Sequence, residues 1–157
     1  MFGQLIAALK SGDQLDTAFA EFAQMIDASE WMFHEANEVL CGKKKSEDVG
    51  DALYERDKDI NRLLRSVRAG ILTHLSVNPV ADIPGCLALM SVAKDAERIG
   101  DYCKNLFEVG QYYEDDYSIE RYHNPLEDVR KRTGDLFGAV REAFDQSSVK
   151  KAKTAIK

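Results

Sequence analysis

Between Leu15 and Leu40 the apolar residues recur in alternating steps of four and three, and this pattern limits the chain to very few folds. The positions are Leu15, Phe19, Phe22, Ile26, Phe33, Ala36 and Leu40, with Ser29 filling the one polar slot. A stripe of that period runs along one side of an α-helix and must be covered by other helices. The alternation returns at Leu53, Asp57, Ile60, Leu64, Val67 and Ile71, and again at Leu89, Val92, Ala96, Ile99, Cys103, Leu106 and Gly110. In the second series Asp57 stands where an apolar residue is expected.

The breakers divide the series into helices. The first opens near "SGD", with Asp13 as its cap, and stops at "CGKKK". There Gly42 suits a helix end, and the lysines suit the negative pole of the helix dipole. The second is expected to begin after "SEDVGD" and to reach about Leu75. "SVNPVADIPG" then breaks the chain with two prolines and a glycine. A third helix is expected from about Cys86 to Tyr113, closed by "EDDYSIERYHNP". Asn124-Pro125 reads as a cap and first-turn proline that open a fourth, ending near Phe144. "QSSVKKAKTAIK" begins a fifth. Short connections make neighbouring helices antiparallel, and helices of this size reach about 45 Å. The expected fold is all-α: an elongated antiparallel three-helix bundle over residues 12–117, with a C-terminal helical extension over 118–157.

A chain of 157 residues has room for one domain with a real core. Its net charge of −6 disfavours a nucleic-acid partner. From Ser11 to Gly42 there is no Lys or Arg, against Asp13, Asp16, Glu21, Asp27, Glu30, Glu35 and Glu38. That face repels anions and attracts cations or a basic partner, or is simply solvated. Three scattered cysteines, Cys41, Cys86 and Cys103, point to a reducing compartment and to buried thiols without metal-knuckle spacing. No run is apolar enough to span a membrane. No triad, phosphate-cradling glycine loop or nucleotide signature stands out. "ERYH" has the Glu-x-x-His spacing of di-iron bundles once, in an expected loop, without a second copy. Glu30 and His34 stand i, i+4 on the acidic helix and read as a solvated pair. No catalytic constellation emerges, and the chain is read as a non-enzyme.

The third helix carries Glu97 and Asp101 one turn apart, with Asn105 continuing the row and Gly100 between them. Two carboxylates at i, i+4 share a helix face and can grip a cation from one side. The wheel puts both roughly 100–140° from the apolar stripe, flanking the core. Gly100 costs about 1 kcal/mol against Ala in a helix interior, which a tight helix approach or a bulky group against the backbone would justify. The second helix offers Asp57 with Asn61, facing a neighbour, and as a lesser pair Glu55 with Asp59, facing solvent. A buried Asp57 needs a cation, a hydrogen bond or a wet groove, with Arg98 or an external metal as candidates. The alternative to metal is an interhelical network of Asp57, Asn61, Glu97 and Arg98 that fixes bundle register.

"ERDKDIN", followed further along by "AKDAERIGDYCKN", resembles the PhoU family of phosphate-signalling proteins. The family's motifs have the flavour Glu-x-Asp-x-x-Val/Ile-Asn and Glu-Arg-Ile-Gly-Asp with an Asn four residues on, and both occur here in order. The resemblance covers roughly residues 12–117. It implies an all-helical three-helix repeat and a cytoplasmic place, peripheral to the inner membrane. It further implies a regulatory role beside a phosphate transporter or a membrane sensor kinase. It also implies iron or zinc ions held through paired carboxylates, here Glu97, Asp101, Asp57 and Asn61, with Glu55 and Asp59 behind them. Asn61 is a poorer ligand than the family's carboxylate. Only one repeat is expected, and residues from Asn124 onward look like the start of a second, so the chain reads either as a one-repeat protein with an added helix or as a domain cut from something longer, the latter suiting it better. Three alternatives stay open: a cytosolic C-terminal domain of a sodium/phosphate cotransporter, a metal-handling bundle, and a structural homo-oligomerisation bundle.

Overall fold

The computed structural model describes residues 13–78, 83–112, 120–146 and 148–155, and among them there is no strand. The helices are α1 (Asp13–Leu40), α2 (Ser46–Val77), α3 (Ile83–Tyr112), α4 (Glu120–Asp145) and α5 (Val149–Ala155). The all-α expectation holds.

Two boundaries differ from the sequence reading. α2 starts at Ser46, so "SEDVGD" is its first turns and not a lead-in. Glu47 and Asp48 lie in that first turn, where carboxylates meet unpaired N–H groups and the positive end of the dipole. α4 contains Asn124 and Pro125 well inside its span. Pro125 stands past the first turn of the span, so its missing N–H removes one helical hydrogen bond. "ERYH" is therefore helical, not a loop. The end of α1 follows the sequence: Gly42 has φ 67°, Gly42 N–H donates to the Val39 carbonyl at 2.9 Å, and Lys43 N–H to the Glu38 carbonyl at 2.9 Å. These are the two bonds of a Schellman cap.

The chain forms two compact units. One comprises the described residues up to Ser29 with Glu55–Asp101. The other comprises Glu30–Tyr54 with the described residues from Tyr102 onward.

In the first unit the N-terminal half of α1 packs on the later part of α2. Gly70 lies where an added Cβ would stand 3.4 Å from the Gln14 carbonyl, and Ser66 Oγ donates to Glu21 Oε1 at 2.6 Å. Residue 14 beside 70 and 21 beside 66 run in opposite directions, so the two segments are antiparallel. Ala18, Phe22, Met25 and Ile26 of α1, Ile60, Leu64, Val67 and Ile71 of α2, and Cys86, Leu89, Ala93 and Ala96 of α3 are its buried apolar residues. In the second unit Met32, Ala36, Val39, Val49, Leu53, Cys103 and Phe107 are buried. Gly50 admits the Phe107 ring, and Tyr54 meets that ring edge-on at a centroid distance of 6.0 Å. Gly110 lies against the Leu40 backbone. α4 leans on α1 through Phe137 and Phe33, with ring centroids 5.5 Å apart.

The α2 stripe is as expected, and on α1 and α3 it holds in part: Phe22, Ile26, Ser29 and Ala36, and Leu89, Ala96 and Cys103, are buried as expected, while the other positions give way to neighbours in the sequence. On α1 the inner row is Ala18, Phe22, Met25, Ser29, Met32, Ala36 and Val39, while Phe19 is 40% exposed. On α3 Ala93, Gly100 and Phe107 point inward, while Val92 and Ile99 are 42% and 36% exposed. Both helices carry two apolar rows one position apart. Period alone does not choose between them; at Gly100 the small residue lets the α3 backbone approach Ile60 of α2.

Candidate functional site

The observed inner row of α3 changes the setting of its carboxylates. Glu97 is not on the flank of the core but buried, at 8% exposure. Its carboxylate accepts a hydrogen bond from Lys94 Nζ, one turn back on the same helix. Lys94 keeps part of its side chain in solvent, so the pair bridges the core and the surface. Asp101 is half-buried and Asn105 exposed.

The structure brings the two expected rows to one level. Ile60 lies between Asp57 and Asn61 on α2, and Gly100 lies between Glu97 and Asp101 on α3. A Cβ built on Gly100 would stand 2.9 Å from Ile60 Cδ1 and 3.8 Å from Ser29 Oγ. The tight helix approach therefore accounts for the glycine. Ser29, fully buried, donates its hydroxyl to the Met25 carbonyl at 2.9 Å, with the Ala96 carbonyl of α3 at 3.4 Å. Register is thus set by a glycine contact and a buried hydroxyl.

Glu97 and Asn61 each bond to their own helix. Asn61 Nδ2 donates to the Asp57 carbonyl at 3.1 Å. Arg98 reaches Asp95 at 3.4 Å. Glu55 pairs with Lys58 at 2.7 Å, and Asp59 with Arg62 at 2.8 Å. Asp57, at its seam position, is half-exposed, so water reaches it. Among the described residues no three His, Cys, Asp or Glu side chains gather as a metal-holding group. An ion held by Glu97 and Asp101 with Asp57 and Asn61 would displace Lys94 from Glu97 and turn Asn61 from its own backbone.

A cavity of about 550 Å³ opens in the second unit between α1 and α4. Glu30, His34, Glu38, Arg130, Lys131 and Asp135 line it. Arg130 lies 3.6 Å from Glu38 and bonds Glu127, and the Glu127 hydrogen bond raises its guanidinium pKa further. The Glu30 and His34 spacing was legible, but the α4 side of the cavity carried no sequence signal. Burial pushes the Cys103 thiol up to about 12, so it stays protonated and inert.

The comparisons with known proteins agree with the helix pattern and the two motifs. The family model described as "PhoU domain" matches residues 22–109, which include both carboxylate rows and the Gly100 contact. The chain is also 32% identical over 68 residues to the "Phosphate-specific transport system accessory protein PhoU homolog" of Rhizobium meliloti (strain 1021). That stretch is 43% of this chain and 28% of that protein's length. No solved structure matches at a significant level. With the family model covering more than half of its residues, the chain belongs to the PhoU family.

Proposed function

We propose that the chain is a regulatory binding module of phosphate uptake and signalling, which acts by docking on a phosphate transporter or on its membrane sensor kinase. The carrying observation is the family match over residues 22–109, with both motif rows inside it on adjoining helix segments of one unit. The module works at the cytoplasmic side of the inner membrane, and no described helix is long and apolar enough to cross one. Its role is recognition without catalysis. Two states, docked and free, give regulation by population shift, set by the difference in affinity between the partner's states.

Deletion of the gene tests this, with phosphate uptake and a phosphate-responsive reporter as readouts. Deletion is expected to derange both, and restoring the chain to correct them. Unchanged uptake and expression would overturn the reading.

A metal-carrying version draws on the i, i+4 spacing of Glu97–Asp101 and Asp57–Asn61, held at one level by the Ile60–Gly100 contact. Binding there would require Glu97 to leave Lys94. Elemental analysis of protein purified without chelator decides it: less than about 0.1 iron or zinc per chain excludes a resident ion.

A further inference from the structure

From Ile60 to Ala81 the sequence has Arg62, Arg65 and Arg68 and no acid, although the whole chain carries −6. The run from Ile83 to Ala93 has no charge at all. Both runs belong to the first unit.

On α2 the buried row is Leu64, Val67 and Ile71, and the next positions round, Arg65, Arg68 and Leu72, are exposed. Leu72 is 57% exposed. Arg65, Arg68 and Leu72 share one face of α2, and within the same unit Ile60 of α2 meets Gly100 of α3. On α3 Leu87 stands one position past buried Cys86, with Ile83 one turn before it; they are 55% and 56% exposed. Ile60 meets Gly100, and moving from there toward the α2–α3 turn reaches Leu72 and Leu87 at matching heights. The result is an apolar strip of Leu72, Ile83 and Leu87 bordered by two arginines. Among the described residues neither Arg65 nor Arg68 has an ion-pair partner, whereas Arg62 is held by Asp59.

We propose that this strip on α2 and α3 is the surface that docks the partner, and that the partner presents an acidic amphipathic helix. Apolar side chains of that helix cover Leu72, Ile83 and Leu87, and its carboxylates pair with Arg65 and Arg68 in the bidentate geometry arginine favours. A solvated arginine pair alone offers little affinity, and a bare apolar strip offers little specificity; together they select sign and pattern. An anionic membrane is the weaker occupant. Lipid-binding clusters use about 4–8 basic residues, more than this strip holds, and the acidic α1 opposes adsorption.

The inference rests on the docking function proposed above, and its test separates the two. The probe is a synthetic helix with leucines at heptad a and d positions and glutamates beside them, compared with the same leucine pattern flanked by lysines. Vesicles of about 30% phosphatidylserine form the third arm. The full chain is expected to bind the glutamate peptide, less tightly as salt rises from about 50 to about 500 mM. The pair Arg65→Glu and Arg68→Glu, and separately Leu72→Asp, is expected to weaken binding about tenfold or more. Circular dichroism melts confirm that these exposed-site variants fold. Equal binding of the lysine peptide, unchanged binding by the variants, or variant-sensitive binding to the vesicles in place of the peptide overturns the proposal. In cells the same variants are expected not to restore phosphate regulation to a deletion strain. If deletion deranges regulation and the variants restore it fully, the surface is wrong and the function stands. If deletion changes nothing while the peptide result holds, the function is wrong and the surface stands.

Discussion

Ile60 Cδ1 lies 2.9 Å from the point where a β-carbon on Gly100 would stand, so the glycine of one motif and the isoleucine of the other are cut to fit each other. Both residues are buried, and Ile60 has little room to turn. Gly100→Ala gains about 1 kcal/mol of helix propensity but overpacks a filled core, which costs about 1–3 kcal/mol. The expected net effect is a destabilisation of about 1 kcal/mol. Ile60→Val removes the clashing methyl, so the double variant should be more stable than the sum of the two singles. Urea unfolding of all four proteins gives the coupling, and strict additivity would show that the two side chains do not meet as described.

Gly110 and Gly138 make an opposed pair. A Cβ on Gly110 would meet the Leu40 backbone at 3.1 Å, and backbone cannot swing away. A Cβ on Gly138 meets nothing within 4 Å. Gly110→Ala should destabilise by about 1–3 kcal/mol, while Gly138→Ala should stabilise by up to about 1 kcal/mol. Thermal melts of the two variants should move in opposite directions.

Removing Lys94 leaves the buried Glu97 carboxylate without this partner. Lys94→Met is expected to cost about 2 kcal/mol, because a desolvated charge loses its compensation. Adding Glu97→Gln should recover part of that loss, since a neutral amide is cheaper to bury than a charge. If Lys94→Met proves neutral in denaturant titrations, the pair is not what holds Glu97.

Cys103 should be silent toward thiol reagents in the native protein, with the half-buried Cys41 reacting first. Its raised pKa also has a sign for stability. Between the ordinary value of 9.0 and about 12 the unfolded chain releases the thiol proton while the folded chain keeps it. Its contribution is thus complete below 9.0 and lost as pH climbs toward about 12. Cys103→Ala should flatten the alkaline fall in melting temperature relative to wild type.

Phe137 should be what fastens α4 to α1. Phe137→Ala is expected to cost about 2–3 kcal/mol and to raise amide exchange across residues 126–144 more than across α2. Equal exchange in both helices would mean that α4 is held elsewhere.

Helix existence was legible throughout, because period and breakers agreed. The start of α2 was not, because "SEDVGD" looks like a polar turn until Gly50 is seen to make room for the Phe107 ring. On α1 and α3 only part of the inner face was read correctly: Phe22, Ile26, Ser29, Ala36, Leu89, Ala96 and Cys103 are buried as expected, but Phe19, Val92 and Ile99 are exposed. Val92 and Ile99 outrank Ala93 and Gly100 in hydrophobicity, but close packing selected the smaller pair. That selection moved Glu97 from flank to core. Its bond to Lys94 was equally hidden, since a lysine three residues away is compatible with an exposed pair or a buried one. The row residues themselves, Asp57 with Asn61 and Glu97 with Asp101, were readable from spacing because a helix wheel fixes rows even when it misjudges which row faces inward.

The cap at Gly42 has a kinetic side. Its two bonds turn the chain at the end of α1 with only Cys41–Lys45 between that helix and the next. Closing so small a loop costs little entropy, so α1 and α2 are placed to find each other early, before α3 joins. Gly42→Val strains the left-handed residue and should appear as a lower refolding rate with little change in unfolding, the mark of a contact already made at the barrier.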